Sequence, residues 1–366
     1  MLEQNRKILY IENLRILLTI LIIMLHIAVT YGSAGSWYYY ERSDDAISNI
    51  LLTMFTAVVQ SFSLGFFFLI SAYFTPASFE RKGLKSFLKS RLLHLGIPFV
   101  FYYFVINPLI LYILKTIFMG EHVQSKNLFG PGPLWFVETL FIFNMVYALW
   151  AGFSGMEETG RQRLPPRNKN ILVYLIILSF INFIIRMFCP AGKWFFDFQP
   201  AFYPGYISLF ITGIIAGRNK WFDNFPETAG KRWLIVSLTL ILLLPFIMFF
   251  SGAVNDVSPF LGGFTWQSLL YSSWEAFTGV GIIAGLFVIF RKKFNRQGDL
   301  AKIMSDNAYP VYIFHPPVIV FLAYSVRNVL MHPLLKFLFV SIAGVPLCFL
   351  ISRYIIKKIP FAKKIL

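Results

Sequence analysis

A chain of 366 residues that is 57% hydrophobic and only 14% charged is not composed like a soluble domain, where about a quarter of the residues are charged. The formal net charge is +16, but the basic residues stand between apolar runs and form no continuous face, which excludes nucleic acid as the partner. Two cysteines, Cys189 and Cys348, are too few for a disulfide framework and are expected to stay unpaired.

A helix needs about 20 residues to cross the hydrocarbon core. In chain order, the apolar stretches 13–31, 50–73, 92–114, 134–151, 171–188, 203–217, 233–250, 268–290, 308–327 and 334–356 predict ten crossings. The sixth is short and is interrupted by Pro204 and Gly205. The expected fold is an all-α polytopic integral membrane protein, a single domain over residues 1–366 in contact with the lipid bilayer of the cell membrane. Arg6 and Lys7 before the first apolar stretch imitate a signal peptide. That stretch carries a charge and a histidine and ends in no small-residue cleavage site, so it reads as a retained first span. If the N-terminus is cytoplasmic, 25 of the 33 Lys and Arg fall on inner segments, counting Arg353 at the inner end of the last span with the tail, and the bias alternates at every crossing. Both termini are therefore expected inside.

The first span reads YIENLRILLTILIIMLHIAVTYG. Arg15 and His26 are eleven residues apart, about 1100 degrees around a helix, so they share one face roughly 16 Å apart along its axis. Glu12 lies near the same face. Ionisable groups at such depth usually point into a bundle or a water-filled cavity. Snorkelling of Arg15 to the headgroups and neutral packing of His26 are the structural alternatives.

Further along, RLLHLGIPF places Arg91 and His94 on one helix face after a basic run, where they can meet a phosphate. GPGPLWFVETLFIF puts Glu138 about one turn into the fourth span. Arg186 ends the fifth span and Glu275 sits in YSSWEAFTG of the eighth; each suits an orienting role, a polar acceptor or a structural salt bridge. In DNAYPVYIFHPPVIVFLAY, His315 precedes Pro316 and Pro317, which remove two backbone donors and predict a kinked wall. His122 and His332 receive no role. Five scattered His and two distant Cys make no zinc pattern, and neither a Walker loop nor a dinucleotide signature occurs.

The ENLR segment with His26 following, the basic loop into RLLHLGIPF, the PLWFVETL opening and YPVYIFHPP occur in an order that resembles the acyltransferase-3 family of integral membrane O-acyltransferases. Within it, the chain looks most like the glucan-biosynthesis protein C type, a glucan succinyltransferase branch. The resemblance implies that His26 is the general base at an acceptor hydroxyl. It associates Arg15 with the acyl donor and links an Arg-x-x-Arg motif to the phosphates of acyl-CoA. Here that motif reads Arg91-Leu92-Leu93-His94, a departure at its second position, and Glu12 replaces the Asp common in the first motif. Acyl-CoA, as acetyl-CoA or succinyl-CoA, is then a donor substrate and not a resident cofactor, and no metal is implied. The acceptor is an extracytoplasmic glycan or glycolipid. Glu138 is the expected orienting or electrostatic group for His26, and His315 joins Arg15, Arg91 and His94 among the groups expected around the donor. The competing readings are an exporter of a polar or lipid-linked saccharide and a non-catalytic membrane assembly factor.

Overall fold

The computed structural model describes residues 8–41, 43–154, 163–253 and 256–365. Arg6, Lys7, Arg42 and Arg161, which entered the charge pattern, lie outside the described residues. Helices dominate: α1 (Leu9–Thr30), α2 (Ala46–Arg91), α3 (92–118), α4 (Trp135–Phe153), α5 (Asn168–Phe188), α6 (Tyr203–Arg218), α7 (Glu227–Phe250), α8 (Trp266–Lys293), α9 (Asp299–Ser325) and α10 (Pro333–Tyr354). A short α11 (Pro360–Ile365) follows. The protein is an all-α polytopic membrane protein.

Among the described residues nine continuous helical runs are long and apolar enough to cross a membrane, where the hydropathy pattern predicts ten. The difference lies in α2 and α3, which join in one run of 73 residues, Ala46–Phe118. At 1.5 Å per residue an unbroken helix of that length would reach about 110 Å, several times the hydrocarbon thickness. The run breaks at Gly83, where φ is 70° and ψ 166°. A Cβ at Gly83 would meet nothing within 4 Å, so the left-handed backbone, not lack of space, calls for glycine. The basic stretch around it, expected as a loop, is helical on both sides of this break.

Proline shapes α3. Its π-helical turns Leu92–Gly96 and Tyr102–Ile106 each run into a short α-helical stretch that has proline at its second residue, Pro98 and Pro108. A proline offers no amide hydrogen to the carbonyl four residues before it and crowds that carbonyl, so the ladder is relaid locally. The carbonyl four before Pro98 is that of His94, and it accepts a hydrogen bond from Tyr309 Oη.

The helices divide into two compact units, each gathered from separated segments. The first comprises the described residues of Met1–Leu14, Gln60–Arg81 and Gly155–Arg296. Its core packs Ile171, Leu175 and Leu178 of α5 with Trp233 of α7 and Ala276 and Ala284 of α8. Two bonds to helix carbonyls stitch α7 to α8: Trp274 Nε1 donates to Leu240 O at 3.0 Å and Ser237 Oγ to Phe277 O at 3.2 Å. Leu242 is 72% exposed, as suits a helix whose outer face meets lipid.

The second unit comprises the described residues of Arg15–Val59, Lys82–Ser154 and Gln297–Leu366. Here α9 packs on α10, and Ser352 Oγ donates to Asn307 Oδ1 at 2.9 Å across that contact. Leu18, Ile23 and Ile27 of α1, Ile319 of α9 and Val340 of α10 are fully buried. The loop after α1 is tied to α10 by Lys336, whose Nζ pairs with Glu41. Cys189 and Cys348 are free thiols.

Candidate active site

The site in the second unit begins with a missing amide hydrogen. Helix α9 holds Pro310, Pro316 and Pro317 and stays helical from Asp299 to Ser325. Pro316 cannot donate to the carbonyl of Tyr312, four residues earlier. His315 Nδ1 takes that carbonyl instead, at 2.7 Å. A carbonyl only accepts, so Nδ1 carries the proton, and in the neutral ring Nε2 offers a lone pair.

That lone pair faces α1. His315 Nε2 lies 3.0 Å from His26 Nδ1. With Nε2 of His315 unprotonated, His26 Nδ1–H is the donor, and the lone pair of the neutral pair comes to rest on His26 Nε2. The relay therefore runs Tyr312 carbonyl, His315, His26. His315 is fully buried and His26 only half-buried, so the basic nitrogen belongs to the more accessible ring. An imidazole oriented through its Nδ1–H with Nε2 bare is the arrangement of a general base.

The loop between α1 and α2 covers this pair. The Trp37 indole stacks on the His26 ring, with centroids 4.0 Å apart and planes inclined by 12°, and lies parallel to His315 at 6.0 Å. Next in sequence, Tyr38 Oη bonds to Tyr102 Oη at 2.9 Å and donates to Asn107 Oδ1. Asn107 Nδ2 in turn donates to Leu128 O at 2.8 Å. The turn before α4 closes onto the same knot: a Cβ at Gly132, where φ is +47°, would come within 2.1 Å of Tyr38 Oη. Beside it, the Pro133 carbonyl accepts from Tyr312 Oη at 2.7 Å. Tyr312 is thus fixed by its side chain while its carbonyl fixes His315.

The other expected site residues fall into three groups. Arg15 is half-buried on α1, eleven residues before His26. Arg91 ends α2 with its guanidinium over the Phe87 ring at 4.8 Å, and His94 Nδ1 donates to the Ile365 carbonyl of α11 at 2.8 Å. Glu138 is half-buried in the first turn of α4, where a carboxylate suits the helix dipole. The hydrogen bond at His26 Nδ1 is the one to His315 Nε2. His315, expected near the donor, has both ring nitrogens engaged by protein and the geometry of an orienting group.

Arg186 and Glu275 belong to the first unit and resolve as a salt bridge. Arg186 Nη2 donates to Glu275 Oε2 at 2.5 Å and Nη1 to Ser272 Oγ at 3.3 Å. The rings of Phe202 and Tyr271 lie 5.4 and 5.3 Å from the guanidinium carbon. A cavity of about 30 Å³ beside the pair is lined by Gln60, Asn182, Tyr206 and Glu275, room for a water molecule or two. Among the described residues no group of three His, Cys, Asp or Glu is placed to hold a metal ion.

Trp37, Tyr38, Tyr102, Asn107 and Tyr312 are site residues that the sequence pattern did not single out. The available signal was the run WYYY at 37–40, directly after the helix that carries His26.

Comparison with known proteins bears on what these residues serve. The chain is similar to glucans biosynthesis protein C of Escherichia coli K12, at 31% identity over 34% of this chain and 29% of that protein. It is similar to the proteins of that name from Salmonella paratyphi B, at 26% over 49% and 46%, and Salmonella schwarzengrund, at 25% over 57% of each. The chain therefore spans between 29% and 57% of the length of these relatives, and the relationship is distant. No solved structure matches it. The acyltransferase domain of the acyltransferase-3 family matches from residue 8 to residue 353. That match takes in both helices of the histidine pair: the chain belongs to the acyltransferase-3 family of membrane proteins.

Proposed function

We propose that the protein transfers an acetyl or succinyl group from cytosolic acyl-CoA to a hydroxyl of an extracytoplasmic glycan or glycolipid, with His26 as general base. The observation that carries this reading is the bond chain Tyr312 O, His315, His26, in which His315 Nε2 accepts from His26 Nδ1–H and the lone pair not used within the neutral pair is that of His26 Nε2. In this reading the acceptor hydroxyl gives its proton to His26 Nε2 as its oxygen attacks the thioester carbonyl carbon. The tetrahedral adduct then collapses, the C–S bond breaks, and the thiolate of CoA takes the proton from His26. The products are an O-acyl ester and free CoA. Holding thioester and hydroxyl together supplies part of the rate, and proton removal by a positioned imidazole contributes about 10²- to 10⁴-fold.

Arg15, Arg91 and His94 are assigned to the donor. Arg91 offers a planar fork suited to phosphate. His94 would meet phosphate through Nε2, because Nδ1 is given to Ile365. The alternation of basic segments supports cytoplasmic termini, and acyl-CoA would then enter from the side that carries most of the charge. The 1–366 chain acts as one catalytic domain in this reading. Relatives named for glucan biosynthesis make a soluble glucan the first acceptor to try.

The test uses the full chain in nanodiscs with acetyl-CoA or succinyl-CoA and soluble glucan, following acylated glycan by mass spectrometry and free CoA by thiol titration. Acyl transfer by wild type that His26→Ala abolishes, at unchanged elution volume and thermal stability, is the expected result. Transfer that survives His26→Ala would remove the histidine from the chemistry. Absence of acyl-CoA binding would favour saccharide export.

A further inference from the structure

The attack just described creates a negative charge on the former carbonyl oxygen, and acyl transfer is fast only where a fixed donor meets that charge. We infer that the indole N–H of Trp37 is this oxyanion donor; the inference rests on the proposed acyl transfer. The starting point is an anomaly. Trp37 Nε1 is shielded from solvent and has no hydrogen-bond partner among the described residues. Buried N–H groups are almost always satisfied, and one left open calls for an explanation. This one sits on the ring stacked against the base, not elsewhere in the bundle.

The geometry fits the reaction. An indole N–H lies in the plane of its ring, so in a parallel stack it points alongside the His26 imidazole and cannot bond to it. A hydroxyl held by His26 Nε2 lies in the imidazole plane, about 2.8 Å from that nitrogen. The carbon it attacks becomes tetrahedral, and one of its substituents must then leave that plane. With the oxygen directed toward the indole layer, the open N–H of that layer, Trp37 Nε1–H, is the donor for the charge as the proton arrives on His26. The C–O π electrons move onto that oxygen and return when the C–S bond breaks, so the indole gains and loses nothing.

The donor is also held still in advance. The Trp37 backbone N–H donates to Tyr40 Oη, Tyr38 is anchored on Tyr102 and Asn107, and the Glu41 backbone N–H donates back to Thr30 O at 2.7 Å. Preorganisation of this kind is what makes an oxyanion donor effective.

The experiment replaces Trp37 by 3-benzothienylalanine, which keeps the fused ring and substitutes sulfur for N–H, with Trp37→Phe as a genetically encoded second variant. Steady-state kinetics are measured for the full chain in nanodiscs, alongside acyl-CoA binding and thermal unfolding. The expected result is a fall in kcat of about 10²- to 10³-fold, with KM for acyl-CoA and the unfolding temperature close to wild type. A kcat within about threefold of wild type in either folded variant, alongside His26-dependent wild-type transfer, would overturn the oxyanion assignment alone. Folded wild type that binds acyl-CoA but transfers to no hydroxyl acceptor would overturn the proposed function and this inference with it.

Discussion

Pro316 lacks the amide hydrogen that would reach the Tyr312 carbonyl, and His315 Nδ1 occupies that carbonyl in its place. A side chain thereby completes a backbone ladder, and the ladder chooses the tautomer of the side chain. The same residue that weakens α9 locally directs the lone pair of His315 toward His26.

Restoring the amide should therefore separate stability from activity. In Pro316→Ala the new N–H competes for the Tyr312 carbonyl, so His315 loses its fixed tautomer. The expected outcome is an unfolding temperature equal to or above wild type, since an interior proline costs a helix about 3 kcal/mol, together with roughly tenfold lower kcat. Thermal unfolding and transfer kinetics on one preparation check both. A parallel fall of the two would mean that the proline serves packing alone.

Truncating His315 tests whether it orients the base or holds the donor. His315→Leu leaves His26 Nδ1 without its acceptor, and kcat should fall about 100-fold while KM for acyl-CoA changes by less than about twofold. His315→Gln, whose amide oxygen can accept, should recover part of the loss. A raised KM at unchanged kcat would return His315 to the donor site.

The Arg186–Glu275 pair should govern stability. Arg186 is fully buried, and removing one partner of a buried ion pair costs about 3–5 kcal/mol because the other is left uncompensated. Arg186→Met or Glu275→Leu alone should lower the unfolding temperature markedly in nanodiscs, and the double substitution should restore most of it. If each single variant unfolds like wild type, the bridge contributes nothing.

Acid sensitivity should trace in part to the start of α2. The Ser48 hydroxyl, the backbone amides of Ser48 and Ile47, and His332 together hold the Asp45 carboxyl below its ordinary value of 3.8. A depressed folded value stabilises above the unfolded one, so the contribution is complete above about pH 4 and is lost as pH falls through the folded value. Asp45→Asn keeps a helix cap but not the charge, so it should lower the neutral plateau slightly and flatten the decline of unfolding temperature below about pH 4. An identical acid limb in both proteins would assign that decline to other carboxyls.

Most of the membrane architecture was legible because an apolar stretch of about 20 residues has few alternatives. The stretch ERKGLKSFLKSR was misread for a physical reason. Its charge belongs in water, as a loop would, but Lys, Arg, Leu and Ser also sustain a helix, and only Gly83 interrupts it. At the site, His26 and His315 were both visible as titratable groups within apolar spans. Their pairing was not, since no periodicity connects two helices so far apart in sequence. A proline-freed carbonyl that reaches His26 through a second imidazole has no signature in the sequence pattern. Trp37 was not singled out; its stacking on His26 is a tertiary fact.

His26 and His315 are separated by 289 positions, and that distance has a consequence for biogenesis. At about 5–20 residues per second, the ribosome would finish α1 roughly 15 to 60 s before His315 is made. Throughout that interval the first imidazole has no partner to set its tautomer. On the proposed acyl transfer, the nascent protein would thus pass through the translocon before its base is oriented, and hydrolytic loss of thioester would be withheld until the last helices dock.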